Sequence, residues 1–436
     1  MPIRPAIAAI VVTVMALFTL PASAASAITP PHSHEHGHGH SPWQAAWGAA
    51  MQEPAEGVLP NWAAAGFDDH SVRQVLRLSA GGTTLRIRLS NLYGSAPVRL
   101  AGATVARAGR GAAVMPDTVR PLTFRHSPAG SIPAGGELVS DPVAFRTKAL
   151  DRLTVTLYFA APTGPATQHF LAFHSTYRAS GNHLLDPAPT AFTETTQSYY
   201  FLTGVEVGPR PAMSRSRGTV VTLGDSLTDG SFSTVDADNS YADELAERLT
   251  AAGRDLAVVN AGIGGNRLLR DSPCFGESAQ SRFQRDVLSR PGVRTVIISE
   301  ALNDIFDVAG IPLGEGCNWP NPTLTVSQLI EGHRALIRLA HAHGIRIIGG
   351  TVTPFKGNPY GVFTAHGEAV RDGLNRWILT SGEYDAVVDF AGAVADPADP
   401  DRLFPGYDGS PALRDAVHLN DAGFRAMAAA INLSDL

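Results

Sequence analysis

The chain has 436 residues, 44% of them hydrophobic and 17% charged, with a formal net charge of -6. That is globular composition, with apolar mass for one large core or two. The mild acidity and the absence of a long basic run argue against wholesale nucleic-acid binding, so no nucleic-acid partner is expected.

The first 27 residues read as an address. Arg4 is a positive flank, Ala6 to Leu20 is almost wholly apolar, and Pro21 leads into the small residues Ala22-Ser23-Ala24, with Ala25-Ser26-Ala27 as a second cleavage option. This is the pattern of a secretory signal peptide. A transmembrane anchor is the competing reading, disfavoured because the apolar run is short and small residues follow it. The expectation is a secreted protein without a stable membrane anchor. Residues 28–42 include His32, His34, His36, His38 and His40 among Gly, Ser and Pro. They read as a flexible solvated segment rather than a metal site, since no second ligand set accompanies them.

Residues 43–208 have a β texture. Ser71 to Leu78 and Thr84 to Ser90 alternate polar and apolar residues, and Gly81-Gly82 between them predicts a hairpin turn. Leu153 to Phe159 repeats the pattern. Such spacing predicts an all-β sandwich or jelly-roll-like domain. Residues 209–217, rich in Pro, Ser and Arg, read as a linker. From residue 218 to 436 the texture becomes α/β. Strands are predicted at Thr219–Leu223, Leu256–Val259, Arg294–Ser299, Ile345–Ile348 and Ala386–Val388. Helices are predicted at Tyr241–Leu249 with Ser240 as N-cap, Val326–His343, Val370–Ile378 and Asp421–Ile431. Strands alternating with helices argue for a parallel sheet, whose active site lies at the carboxyl ends of the strands.

Four short blocks fall at such ends: Gly224-Asp225-Ser226-Leu227, Asn260-Ala261-Gly262-Ile263-Gly264-Gly265, Ala301-Leu302-Asn303-Asp304 and Asp415-Ala416-Val417-His418. Together, in this order, they resemble the SGNH/GDSL hydrolase family, over about half the chain from Gly218 onward. The resemblance implies a flavodoxin-like α/β fold and a serine esterase. Its nucleophile would be Ser226 and its base His418. Asp415, three residues earlier, is close enough to orient the imidazole. The resemblance also implies an oxyanion hole of the Ser226 backbone N–H, the Gly265 backbone N–H and the Asn303 side chain. Gly262 and Gly264 are neighbours that compete with Gly265 for this role. The third block departs from the family pattern at Ala301, where glycine is usual. A positive φ there would be uncomfortable for alanine and would shift the loop bearing Asn303.

The family implies lipid, short-chain acyl or acetylated-glycan esters as substrates. Phe275, Phe306 and Trp319, near the blocks, are candidates for an apolar wall. Cys274 and Cys317 are the only cysteines; secretion makes a disulfide between them the expectation, tying the two oxyanion loops together. No cofactor is expected, because the glycine cluster lacks the dinucleotide spacing and no His/Asp/Glu cluster spells a catalytic metal site. His169, His174, His333 and His366 read as structural or surface residues. Two further readings are an acyltransferase using the same triad and a glycan-binding protein with an inactive hydrolase domain.

Overall fold

The computed structural model describes residues 42–55, 59–208, 218–306, 323–359, 361–409 and 415–436. The expected signal peptide, the His-rich segment up to Ser41, the expected linker, Cys317 and Trp319 lie outside the described residues.

The amino-terminal half is built from two antiparallel sheets. One runs β1 (Gln44–Gly48), Leu202–Gly208, Thr84–Ser90 and Glu137–Val139. The other runs Glu194–Thr196, Thr176–Ser180, β2 (His70–Arg77), Arg152–Phe159, Gly102–Arg107 and Arg120–Pro121. Leu85, Ile87 and Leu89 of the first sheet share a core with Val72, Leu76, Val105, Val155 and Leu157 of the second. This is the expected β-module.

The predicted hairpin is not formed. β2 pairs with Arg152–Phe159 and Thr176–Ser180, whereas Thr84–Ser90, here β3, pairs in the other sheet with Leu202–Gly208. Gly81-Gly82 therefore carries the chain across from one sheet to the other. Neither glycine takes the positive φ that a tight hairpin turn requires. Their missing side chains instead let the backbone pass close to Thr147, whose Oγ1 accepts the Gly82 N–H at 2.9 Å. A Cβ on Gly81 would lie 2.5 Å from Lys148 Cα.

The second half is a five-stranded parallel sheet. Its strands are β4 (Gly218–Gly224), β5 (Leu256–Gly262), β6 (Val293–Ser299), β7 (Arg346–Gly350) and β8 (Ala386–Val388), in the order β5-β4-β6-β7-β8. All four pairings are parallel. This is the flavodoxin-like order, with its switch point between β4 and β6. Apolar runs such as Val-Val-Thr-Leu in β4 and Val-Ile-Ile in β6 are fully buried, as a sheet covered on both faces demands. The crossovers use helices α1 (Tyr241–Ala251), α2 (Val326–Ala342) and α3 (Ala365–Thr380), and α4 (Asp421–Ala430) follows β8. Ser240 caps α1 through a reciprocal box with Asp243, and Thr325 caps α2 in the same way with Gln328.

The described residues from Pro42 onward form one compact unit. β5 is an edge strand of the parallel sheet, and the β-module covers it. Ser79 Oγ lies 2.9 Å from the Val258 N–H it accepts and 2.7 Å from the Ala46 carbonyl. The Ala45 N–H donates to Pro291 O at 3.0 Å. Ala45 packs into the core of the parallel-sheet half and Ala257 into that of the β-module.

Candidate active site

Ser226 opens a four-residue helical turn, Ser226–Asp229, immediately after β4. Asp225 caps the turn, its side chain accepting the Leu227 N–H at 3.0 Å, and Gly230 closes it at φ 101°. The hydroxyl is thus held at the carboxyl edge of the sheet. Asp415 and His418 occupy the loop leading into α4. Asp415 Oδ1 accepts the backbone N–H groups of Val417 at 3.0 Å and His418 at 2.9 Å. Its Oδ2 lies 2.6 Å from His418 Nδ1, and His418 Nε2 lies 2.9 Å from Ser226 Oγ. With a carboxylate on Nδ1, the imidazole proton belongs there, leaving Nε2 to accept from the serine hydroxyl. Burial alone would raise the Asp415 carboxyl. The His418 hydrogen bond and charge, with the two backbone N–H groups, reverse this and hold it down to about 2. The Phe232 ring lies 4.9 Å from the imidazole and shields it on one side.

The glycine-rich loop after β5 separates its three candidates. The Gly262 N–H is taken by Asn260 Oδ1 at 2.8 Å, and the Gly264 N–H by Asp229 Oδ2 at 3.1 Å. The Gly265 N–H has no partner among the described residues. Gly265 sits at φ 74°, and a Cβ there would come within 2.5 Å of Phe275 Cδ1, so the position accepts glycine alone. Asn303 follows β6 in the turn Leu302–Ile305, and its Nδ2 donates to Asn266 O at 2.9 Å. Ala301, just before it, does take the positive φ, at 103°.

Several groups support the site, and one of them, Arg282, carried no signal in the sequence. Arg282 is fully buried and ties three parts of the site together. It donates to Gly224 O at 3.0 Å, Ala261 O at 2.5 Å and Asn266 Oδ1 at 3.0 Å. The Asp304 carboxylate accepts the Leu268 and Leu269 N–H groups at 2.6 and 3.2 Å, joining the third block to the second. Burial pushes the carboxyls of Asp225 and Asp304 up to about 6 and Glu300 well above its usual range. Phe275 packs on Gly265, and Phe306 meets Phe355 at a ring distance of 5.3 Å. His366 reaches Leu324 O, and His333 is a core residue bonded to Tyr384 Oη. Glu368, Asp372 and Asp401 form an acidic group with Arg371 already within it.

A serine, an imidazole and a carboxylate in hydrogen-bonded sequence, at the switch-point edge of a flavodoxin-like sheet, describe a hydrolase domain. Residues 222–426 match the GDSL-like Lipase/Acylhydrolase family, and this part of the chain is a carboxylic ester hydrolase domain of that family. A comparison with curated proteins found no match. Among solved structures, the chain is similar to a GDSL-like lipase from Bacteroides thetaiotaomicron, at 18% identity and a TM-score of 0.35, covering 50% of this chain and 87% of that one. It is likewise similar to an acetyl xylan esterase from Geobacillus stearothermophilus, at 21% identity and a TM-score of 0.36, covering 49% of this chain and 92% of that one.

Proposed function

We propose that the protein is a secreted serine esterase that works through an acyl-enzyme on Ser226. The observation that carries the reading is the chain of hydrogen bonds from Asp415 through His418 to Ser226, at 2.6 and 2.9 Å. A serine hydroxyl is a weak nucleophile until an adjacent base takes its proton. His418 Nε2 receives that proton as Ser226 Oγ attacks the ester carbonyl carbon, and Asp415 stabilises the imidazolium. The imidazolium then protonates the leaving alcohol oxygen as the C–O bond breaks. Water, deprotonated by His418, then attacks the acyl carbon; the bond to Ser226 Oγ breaks as the imidazolium returns its proton to that oxygen, and the acid product leaves as its carboxylate. The Ser226 and Gly265 N–H groups and the Asn303 amide are the proposed donors to the oxyanion. Each is worth about 3 to 4 kcal/mol of barrier in comparable sites.

The substrate reading stays at esters of lipids, short-chain acyl groups or acetylated glycans, the range the family implies. Secretion rests on the amino-terminal pattern of Arg4, the apolar run and the small residues after it. No helix among the described residues is long and apolar enough to cross a membrane.

The test compares the purified protein with Ser226→Ala on p-nitrophenyl acetate, butyrate and a long-chain ester. Loss of turnover in a folded variant is the expected result, and the chain-length ranking defines the acyl pocket. Equal turnover in both proteins removes Ser226 from the mechanism.

A further inference from the structure

The β-module reaches the edge of the active site through several side chains, among them Phe173, whose ring meets that of Phe232 at 6.0 Å, and His169. His169, on the strand Gln168–His169, is buried at 4% exposure. Its Nδ1 lies 2.8 Å from the Ala50 carbonyl oxygen and its Nε2 lies 3.0 Å from Asp229 Oδ1. Both partners are acceptors, so both ring nitrogens donate and the ring is an imidazolium. Asp229 ends the helical turn that begins at Ser226. Its other oxygen, Oδ2, accepts the Gly264 N–H at 3.1 Å. The line of contacts therefore runs from the β-module, through one carboxylate, to the peptide next to Gly265.

We propose that His169 is a positioning residue, which fixes the Gly264–Gly265 backbone in its donor orientation by way of Asp229. This rests on the serine-esterase reading of the site. The physical case is one of desolvation. The Asp229 side chain is buried, and its partners among the described residues reduce to one backbone N–H when the imidazolium is taken away. A buried carboxylate in that state takes a proton or draws in water, and either change weakens its grip on Gly264. The loop is also held on either side, by the Ile263 N–H on Gly224 O and by Asn266, but Gly264 and Gly265 have no side chains of their own to fix the peptide between them.

The surroundings agree with a charged ring. Burial acts to lower the His169 pKa, but the charge and hydrogen bond of Asp229 and the Ala50 carbonyl outweigh it, and the result lies above the usual value. Arg282, the other charged group acting on the ring, opposes this. Tyr199 stacks against His169 at a ring distance of 6.3 Å and against His174 at 6.2 Å, and His174 in turn donates to Asp238 at 2.8 Å. His169, His174, Asp229 and Asp238 line a cavity of about 70 Å³. That is far below the roughly 300 Å³ at which ligand pockets begin, which leaves these groups a supporting role rather than a substrate site.

The experiment compares His169→Ala and His169→Gln with the wild type in the full chain. Turnover is measured on p-nitrophenyl acetate, and hydrogen–deuterium exchange over residues 261–269. For His169→Ala the expected result is a kcat lower by about 10- to 100-fold, the scale of a displaced reacting geometry, with KM within about twofold. Exchange across 261–269 rises while the β-module strands keep their protection. His169→Gln, which retains one donor toward Asp229 or Ala50, recovers part of kcat. Wild-type kcat in folded His169→Ala, or unchanged exchange over 261–269, overturns the proposal. So does equal loss in both variants with exchange rising throughout the β-module, which marks a packing role. If Ser226→Ala keeps full activity, the esterase reading fails separately, and the exchange data still decide whether His169 holds the glycine loop.

Discussion

Replacing Gly265 with alanine tests the oxyanion loop most directly. The added methyl meets two obstacles. The backbone sits at φ 74°, a left-handed conformation that costs an L-residue about 1 to 2 kcal/mol. Its Cβ would also lie 2.5 Å from Phe275 Cδ1 and 2.8 Å from Cδ2, an overlap of the kind that costs about 1 to 3 kcal/mol. The backbone relieves both by moving, and the Gly265 N–H moves with it. Loss of one such donor lowers kcat by about 10² to 10³. Steady-state kinetics on p-nitrophenyl acetate, with circular dichroism as the folding control, gives the answer. The overlap comes from one ring, so Phe275→Ala in the Gly265→Ala background should restore at least about tenfold of the lost kcat, a conservative share of that donor effect. Gly265→Ala with kcat/KM within about threefold of wild type would refute the assignment of this N–H, since the full donor effect is far larger.

Asp415→Asn should lower kcat by about 10⁴ with little change in fold, because an amide facing His418 Nδ1 favours the tautomer that cannot accept the serine proton; stopped-time assays at high enzyme concentration resolve the residual rate. Thermal stability should fall as pH rises from 5 to 9. Asp225 and Asp304 have folded pKa values of about 6, above their unfolded values, so their protonated forms stabilise the fold below 6 and that contribution is lost through it. His174, raised to about 9 by Asp238 against the opposing effect of burial, adds stability that is full below its unfolded pKa and lost on passing 9. Scanning calorimetry giving a flat or rising Tm between pH 5 and 9 contradicts this. Below pH 4 the sign reverses as Asp415, held at about 2, takes up its proton. Ser79→Ala leaves the Val258 N–H without its acceptor at the sheet edge and should cost about 1 to 3 kcal/mol in urea unfolding; an unchanged midpoint would mean that the edge strand does not depend on that cap.

The strands and helices of the α/β half were legible because each carries its own local pattern. The Ser240 cap is an example: the sequence places a serine before an amphipathic run, and the structure adds the reciprocal Asp243 contact. Pairing is not local, and there the reading failed. Two alternating runs around Gly81-Gly82 look the same whether they pair with each other or with distant strands. What separates the cases is φ at the glycines and the approach of Thr147, neither written in the segment itself. The same division runs through the site. Ser226 lies in a short block at a strand end, and Asp415 and His418 in one at the entry to α4, so their candidacy could be read from neighbours. His169 lies 60 residues from Asp229 and Arg282 lies 58 from Gly224, and no spacing rule connects such pairs. The sequence alone therefore reads His169 as structural or surface, and only the fold brings its ring to the turn that starts at the nucleophile.

The edge position of β5 explains why the two halves share so much interface. A parallel sheet leaves unpaired N–H and C=O groups along its outer strands, and these need covering. β5 is also the strand that delivers the glycine loop to Ser226. Beyond apolar packing such as that of Ala257, the β-module makes polar contacts at two places along it. Ser79 bonds Val258 within the strand, and His169 acts through Asp229 on Gly264 just past its end. Arg290 crosses in the other direction, donating to the Thr203 carbonyl of the β-module at 2.9 Å. A covering element with no further role would need only the strand contact. The second contact lies beyond the last paired residue of β5, at the position where the backbone turns toward the serine, and it is made through a buried charge rather than an apolar side chain. Burying an imidazolium against a carboxylate adds little net stability compared with well-packed apolar groups, but it fixes direction. Direction is what a loop of consecutive glycines lacks.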